Sequence, residues 1–170
     1  MAECPVCGKR IVPAWGDTNS DVLIAAEFPG NDEMRRGIPF VGEMGAVLEY
    51  ELFLVGVNLR EFRIANLWQH YKPTKMTEEG QECYNHFVGD LVKEMKGRKV
   101  LLMGSENANT FLSMKISECS GLVVNSPLFP KDVKFVQMCV NPAVALQKGG
   151  TLGEVRLAIQ KFARRCKEVK

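Results

Sequence analysis

Cys4 and Cys7 stand two residues apart in Cys-Pro-Val-Cys, followed by Gly8, and a C-x2-C pair of this kind is a frequent metal knuckle, because two thiolates on one tight turn can grip the same ion. A second stretch with chemical potential is Glu27-Phe28-Pro29-Gly30, which follows directly on an apolar run. A Pro-Gly turn at that place brings backbone N–H groups close to a ligand with little side-chain bulk in the way, which suits a planar base or a phosphate. No Gly-Lys-Ser/Thr follows, so it is not a Walker loop, and it lacks the spacing of the G-x-G-x-x-G dinucleotide turn. Cys119, Cys139 and Cys166 have no partner pattern, and Cys139, inside an apolar run, reads as a small buried hydrophobe. His86, on a helical stretch, reads as a surface residue rather than a ligand.

These residues need a scaffold, and the hydrophobic pattern supplies one. Four short apolar segments bounded by breakers, Asp21 to Glu27, Phe62 to Asn66, Arg98 to Gly104 and Val133 to Val140, are predicted strands. Between them, 43–56, 77–95 and 105–114 carry apolar residues at helical spacing, and 150–167 reads as an amphipathic helix. Thr77, followed by Glu78 and Glu79, and Ser105 supply expected N-caps. Strand alternating with helix implies the α/β class: a three-layer α/β/α domain with a short central parallel sheet of about four strands. Ligands of such sheets bind outside the carboxyl ends of the strands. The tails 27–42, 66–73, 104–109 and 141–146 therefore project toward one crevice. No repeat or linker divides the chain, so residues 1–170 are expected to form one domain.

Composition narrows the classes further. With 46% hydrophobic and 25% charged residues the 170-residue chain has the make-up of a soluble globular protein with one core. No apolar run reaches the roughly 18 residues of a membrane span, and Met1 to Arg10 lacks the apolar stretch of a signal peptide, so a cytoplasmic protein is expected. In that reducing compartment the six Cys are not read as a disulfide framework, which strengthens the metal reading of the close pair. A net charge of +2 permits a polyanionic partner without requiring one. Basic residues gather at Lys9 and Arg10, at Arg35 and Arg36, at Lys72 and Lys75, and at Arg164, Arg165 and Lys167; each group taken singly is also what a solvated face looks like.

The order of motifs carries a resemblance. Ala26-Glu27-Phe28-Pro29-Gly30, the segment Gly37-Ile38-Pro39-Phe40-Val41-Gly42, the run Ala65 to Pro73, Val100 to Leu112, Glu118 to Leu122 and Val140-Asn141-Pro142 resemble the uracil-DNA glycosylase superfamily, and most nearly its iron–sulfur group, family 4. The likeness runs from about Cys4 to the C-terminal helix, and the Gly-x-Pro-Phe-Val-Gly segment is its most specific piece. Three departures stand out: Phe28 where the group has a small residue, His70 where it has Cys, and Asn141-Pro142 where it has His-Pro. The mismatch-specific branch of the superfamily also carries Asn-Pro there.

What the resemblance implies can be stated residue by residue. A glycosylase extracts a base from the duplex and reads its Watson–Crick edge in a pocket between aromatic and apolar side chains. Phe40 matches the position that stacks on the base; by itself it reads equally as a core Phe. Asn66 matches the position whose amide accepts from uracil N3–H and donates to O4, a pairing cytosine cannot reciprocate; by itself it reads equally as a strand-end cap. Phe28, Pro29 and Gly30 complete the implied base site, with Phe28 expected to crowd its floor. Glu27 and Asn141 are the implied catalytic residues, Glu27 placing the attacking water or else making a salt bridge, and Asn141 donating a neutral hydrogen bond where the group has His.

The resemblance also maps two further metal ligands, His70 and Cys83, onto Cys4 and Cys7, so that residues 1–20 become a metal-binding arm. A [4Fe–4S] cluster is the group's cofactor and thiolates its usual ligands. Cys3His is instead a standard closed set for structural zinc, and that alternative stands. The implied partner is DNA, single- or double-stranded, containing uracil, and the chain is expected to act as a monomer. Excision of uracil or a related pyrimidine is the function implied. A member of the superfamily that binds DNA without catalysis is the alternative, and hydrolysis of a free nucleoside a more remote one, since it gives the basic groups no purpose.

Overall fold

A computed structural model of the chain describes residues 1–143, 147 and 152–170. The tail expected after Ala143 and the first residues of the last predicted helix fall mostly outside this range. Four segments in which every residue but one is buried form the predicted parallel core: β2 Val22–Ala26, β3 Arg63–Asn66, β4 Lys99–Met103 and β6 Phe135–Cys139. Two strands that the pattern does not predict, β1 Trp15–Gly16 and β5 Val123–Val124, pair antiparallel on β3 and β6 and close the edges of a six-stranded sheet of order β1-β3-β2-β4-β6-β5. At two residues each, they are too short for alternation to register.

The side chains of each strand alternate between two cores. Leu23, Ala25, Val100 and Leu102 face one layer, made by α3 (Glu78–Met95) and α4 (Ser105–Leu112) through Phe87, Leu91, Met95 and Phe111. Val22, Ile24, Leu101 and Met103 face the other, made by α2 (Glu43–Leu54) and α6 (Leu152–Glu168) through Leu48, Leu52, Ile159 and Phe162. Burying both faces is what makes these strands continuously apolar. Among the described residues, two short α-helices, α1 Asn31–Arg36 and α5 Ile116–Cys119, and a 3-10 turn at Leu59–Glu61 lie outside the predicted pattern. α1 starts straight after the Pro-Gly turn and ends where Gly37 takes a left-handed φ of 72°.

One predicted cap holds and one is replaced. Thr77 accepts from the Gly80 N–H at 3.1 Å at the start of α3. Ser105 is already inside α4; the N-cap is Gly104, and its helix draws its acceptor from another strand. The Glu27 carboxylate accepts from the Glu106 N–H at 2.8 Å.

Glu94, near the end of α3, accepts from Arg63 at 2.9 and 2.8 Å and from Arg98 at 3.3 Å, which ties the helix to the start of β3. The Arg63 hydrogen bond holds its carboxyl below the usual range despite burial. A carboxyl with a depressed folded-state pKa contributes stability above its unfolded value, about 4.3, and loses it as pH falls through the folded value. Glu94→Gln is therefore expected to cost about 2 kcal/mol at neutral pH, and that difference should shrink below about pH 4. Urea unfolding of both proteins across that range measures it.

Candidate active site and metal centre

The sheet order reverses at β2, since β3 lies on one side of it and β4 on the other, and this is where a crevice opens at the carboxyl ends. Register puts Asn66 directly beside Ala26, on the same face as Ile64 and so on the side of α2 rather than α3. The turn after β2 then runs through α1 and returns to start α2. Between these pieces lies a cleft of about 530 Å³ lined by Phe28, Pro29, Gly30, Glu33, Phe40, Asn66, Tyr71 and Asn141, among others. Six of the seven residues expected at the base site and catalytic position are thus brought together in one wall. The seventh, Glu27, lies behind it.

Phe40 is buried to 2% exposure, yet its backbone has a left-handed φ of 57°, unusual for a bulky residue. Two contacts hold it there. Arg60 Nη2 donates to its carbonyl at 3.1 Å, and α2 passes so close that a Cβ on Gly45 would lie 2.1 Å from the same oxygen. The Phe40 backbone is thus fixed by the start of α2. Phe40 packs with the α2 core and also lines the cleft.

Asn66 is 5% exposed, and its Nδ2 is buried without a hydrogen-bond partner among the described residues. A buried amide donor left unpaired costs about 1–3 kcal/mol, and this one lines the cleft with a hydrogen bond free for a ligand. It does not serve as the strand-end cap that its position alone also suggests.

Glu27 makes no ion pair among the described residues. Its Oε1 accepts from the Glu106 N–H and its Oε2 from Asn141 Nδ2 at 2.5 Å. Asn141 Oδ1 accepts from the Ala143 N–H at 2.9 Å, which fixes the amide orientation. One Asn141 N–H remains for a ligand. Asn107, fully buried, donates from Nδ2 to the carbonyls of Ala26 and Met103 and so pins the end of β2 to α4. Phe28 does not crowd the floor: it is 47% exposed and stands at the mouth, where a Pro-Gly turn directs it outward.

Two side chains of the site have no place in the sequence reading. Glu33, on α1 and only 7% exposed, lines the cleft and accepts from the Gly42 N–H at 2.7 Å, locking the start of α2 against the turn. Tyr71, half exposed, donates to Asn31 Oδ1 at 2.6 Å and bridges the mouth. The only local hint of Glu33 is its position three residues after a Pro-Gly turn.

The basic groups separate. Lys9, Arg10 and Lys72 line a hollow adjoining the Tyr71 side of the cleft, and Arg36 and Arg60 line another beside Phe40. Arg164, Arg165 and Lys167 do not join them. Arg165 donates to Gln137 and lies over Phe135, and the Cys166 carbonyl accepts from Lys99, the first residue of β4, so this group sits at the opposite end of the sheet.

Cys4, Cys7, His70 and Cys83 converge as expected, with ligand atoms all within 4.8 Å of one another. Cys4 Sγ is 3.7 Å from Cys83 Sγ, and Cys7 Sγ is 3.5 Å from His70 Nε2. His70 Nδ1 faces the Tyr71 carbonyl at 2.9 Å, an arrangement that puts the proton on Nδ1 and leaves Nε2 to bind metal. Burial pushes the Cys83 thiol up to about 12, and bonds from Cys7 and Cys4 add to this. At Cys4 burial acts in the same sense, but the N–H groups of Cys7 and Val6 outweigh it together with the neighbouring thiols, and the pKa falls. A cation at the centre would allow three such thiols to ionise together. His86 lies elsewhere, 3.2 Å from Asp90 on the surface of α3. Burial pushes Cys139 up to about 12, as suits a hydrophobe.

A family model described as the uracil DNA glycosylase superfamily matches residues 13–162. The chain belongs to that superfamily. A type-4 uracil-DNA glycosylase of Archaeoglobus fulgidus is similar to it, with 24% identity over 164 residues, covering 91% of this chain and 81% of that protein. The superfamily match spans all of the cleft, while Cys4 and Cys7 precede it. No helix among the described residues is long and apolar enough to cross a membrane.

Proposed function

We propose that this superfamily member is a DNA glycosylase that flips uracil, or a related modified pyrimidine, out of DNA and hydrolyses its N-glycosidic bond. The observation that carries the reading is the unpaired Asn66 amide in a cleft shared with Phe40. Phe40 stacks on the base. Asn66 donates to O4 from Nδ2 and accepts from N3–H through Oδ1, which selects uracil over cytosine. The electrostatics support a base rather than a phosphate inside: Asp32, Glu33 and Glu43 line the cleft and repel phosphate, while Lys9, Arg10, Lys72, Arg36 and Arg60 flank it where the backbone would run.

In the reaction a water oxygen attacks C1′ as the bond from C1′ to N1 breaks; the electron pair leaves with the base, and the proton the water gives up ends on the released base by way of solvent. Negative charge grows on the base and positive charge on the sugar. The free N–H of Asn141 stabilises the first, with Glu27 as its positioning residue. Because both Glu27 oxygens already accept hydrogen bonds, its part is to orient Asn141 and α4 more than to carry water. Residues 1–20 act as an arm that brings Cys4 and Cys7 to a structural metal. The setting is cytoplasmic.

Incubation with uracil-containing single- and double-stranded oligonucleotides, followed by alkaline cleavage, tests the function. Strand scission is the expected result. Binding without scission would favour the second reading, a non-catalytic binder, for which the neutral amide at Asn141 is the specific argument. Asn141→His is expected to raise single-turnover excision about 10-fold, some 1.4 kcal/mol, because an imidazole N–H is the stronger partner for a carbonyl oxygen of the anionic departing base. With Phe28 at the mouth rather than the floor, Phe28→Ala should add little to that gain.

A further inference from the structure

The group's iron–sulfur cluster does not fit the four donors of this chain, and we infer that Cys4, Cys7, His70 and Cys83 bind a single tetrahedral zinc ion. An ion held at about 2.3 Å by thiolate and about 2.0 Å by imidazole sets its donors roughly 3.5–3.8 Å apart. The Cys4 to Cys83 and Cys7 to His70 separations, 3.7 and 3.5 Å, match those spacings, and the remaining pairs, all within 4.8 Å, need to close by about 1 Å at most. A [4Fe–4S] cube interposes iron and sulfide between its outer ligands and spaces them roughly 6 Å apart. To admit it, every donor pair would have to separate by more than an ångström.

The surroundings resist that expansion. Cys4 and Cys83 are both buried and belong to the core built on Trp68 and Phe87, and the His70 ring packs edge-on to Phe87 with centroids 5.0 Å apart. The knuckle is closed from the other side by the Cys4 N–H on the Lys9 carbonyl at 2.7 Å and the Gly8 N–H on the Cys4 carbonyl at 2.8 Å. The donor chemistry agrees. His70 stands where a fourth thiolate would serve a cluster, and three thiolates with one imidazole form a closed structural zinc set. The site leaves no open coordination position, so the ion ties the N-terminal arm to the segment after β3 and to α3. Through the His70 to Tyr71 hydrogen bond it also steadies the residue that bridges the cleft mouth to Asn31.

The test is metal and sulfide analysis of the unaltered chain, produced with both zinc and iron in the medium and purified without oxygen. One zinc per chain, no acid-labile sulfide and a colourless protein are expected. Iron with matching sulfide, one iron without sulfide, or no stoichiometric metal would each overturn the assignment. As a second readout, exchange with cobalt should give the intense visible bands of a tetrahedral thiolate site; weak bands typical of six-coordinate cobalt would count against it. Cys83→Ser is expected to lose the zinc, and if that variant fails to fold, the metal content of the unaltered chain still decides.

Discussion

Asn66→Asp is expected to lower uracil excision about 10³-fold at pH 8, because the donor proposed to meet O4 is replaced by a charged oxygen that repels it. The same carboxylate accepts from the N4 amino group of cytosine, so the preference for uracil should collapse or invert. The Asn66 Nδ2 pairs with nothing in the described fold, and the substitution therefore removes no internal hydrogen bond of that group. Burial raises the pKa of a carboxyl, so at lower pH the protonated form regains a donor and part of the uracil activity should return. Single-turnover excision of uracil and cytosine opposites across pH 5 to 8 reads both effects. Unchanged discrimination at every pH would remove Asn66 from base reading.

Gly104→Ala is expected to destabilise the protein by about 3 kcal/mol and to lower excision at least about 10²-fold, through one displaced carboxylate. Gly104 has φ 96° and ψ 167°, a region open almost only to glycine. A Cβ there would lie 2.1 Å from the Glu27 Cδ and 2.4 Å from its Oε2. Glu27 would have to withdraw, giving up both the Glu106 N–H and Asn141 Nδ2. Gly97→Ala is the control: Gly97 also has a positive φ, 69°, but nothing lies within 4 Å of its added Cβ. It should cost only about 1–2 kcal/mol of backbone strain and leave excision unchanged. Equal effects of the two substitutions on excision would show that the Glu27 contact is irrelevant to the site.

The parallel core was legible because short, continuously apolar runs and the breakers that bound them are local features, and so were α2, α3 and α6 through their helical spacing. Motif order pointed to the residues of the cleft and the four metal donors, and their convergence agrees with that reading. The two-residue strands β1 and β5 and the helices of under two turns, α1 and α5, carry too few periods to be read without their partners. How each site residue is held was decided by tertiary structure. Glu27 is equally a salt-bridge acid or a water ligand by type, and only the approach of α4 and Asn141 gives it the Glu106 N–H and Asn141 Nδ2 as partners. Phe28 differs from a floor residue by the direction the turn gives it, and Glu33 becomes part of the site because α1 folds back over the start of α2. The metal follows the same division. Residue types name thiolate and imidazole as donors, but a tetrahedral ion and a cube differ by their spacing, and spacing between residues as far apart in the chain as Cys4 and Cys83 exists only once the sheet and helices have packed.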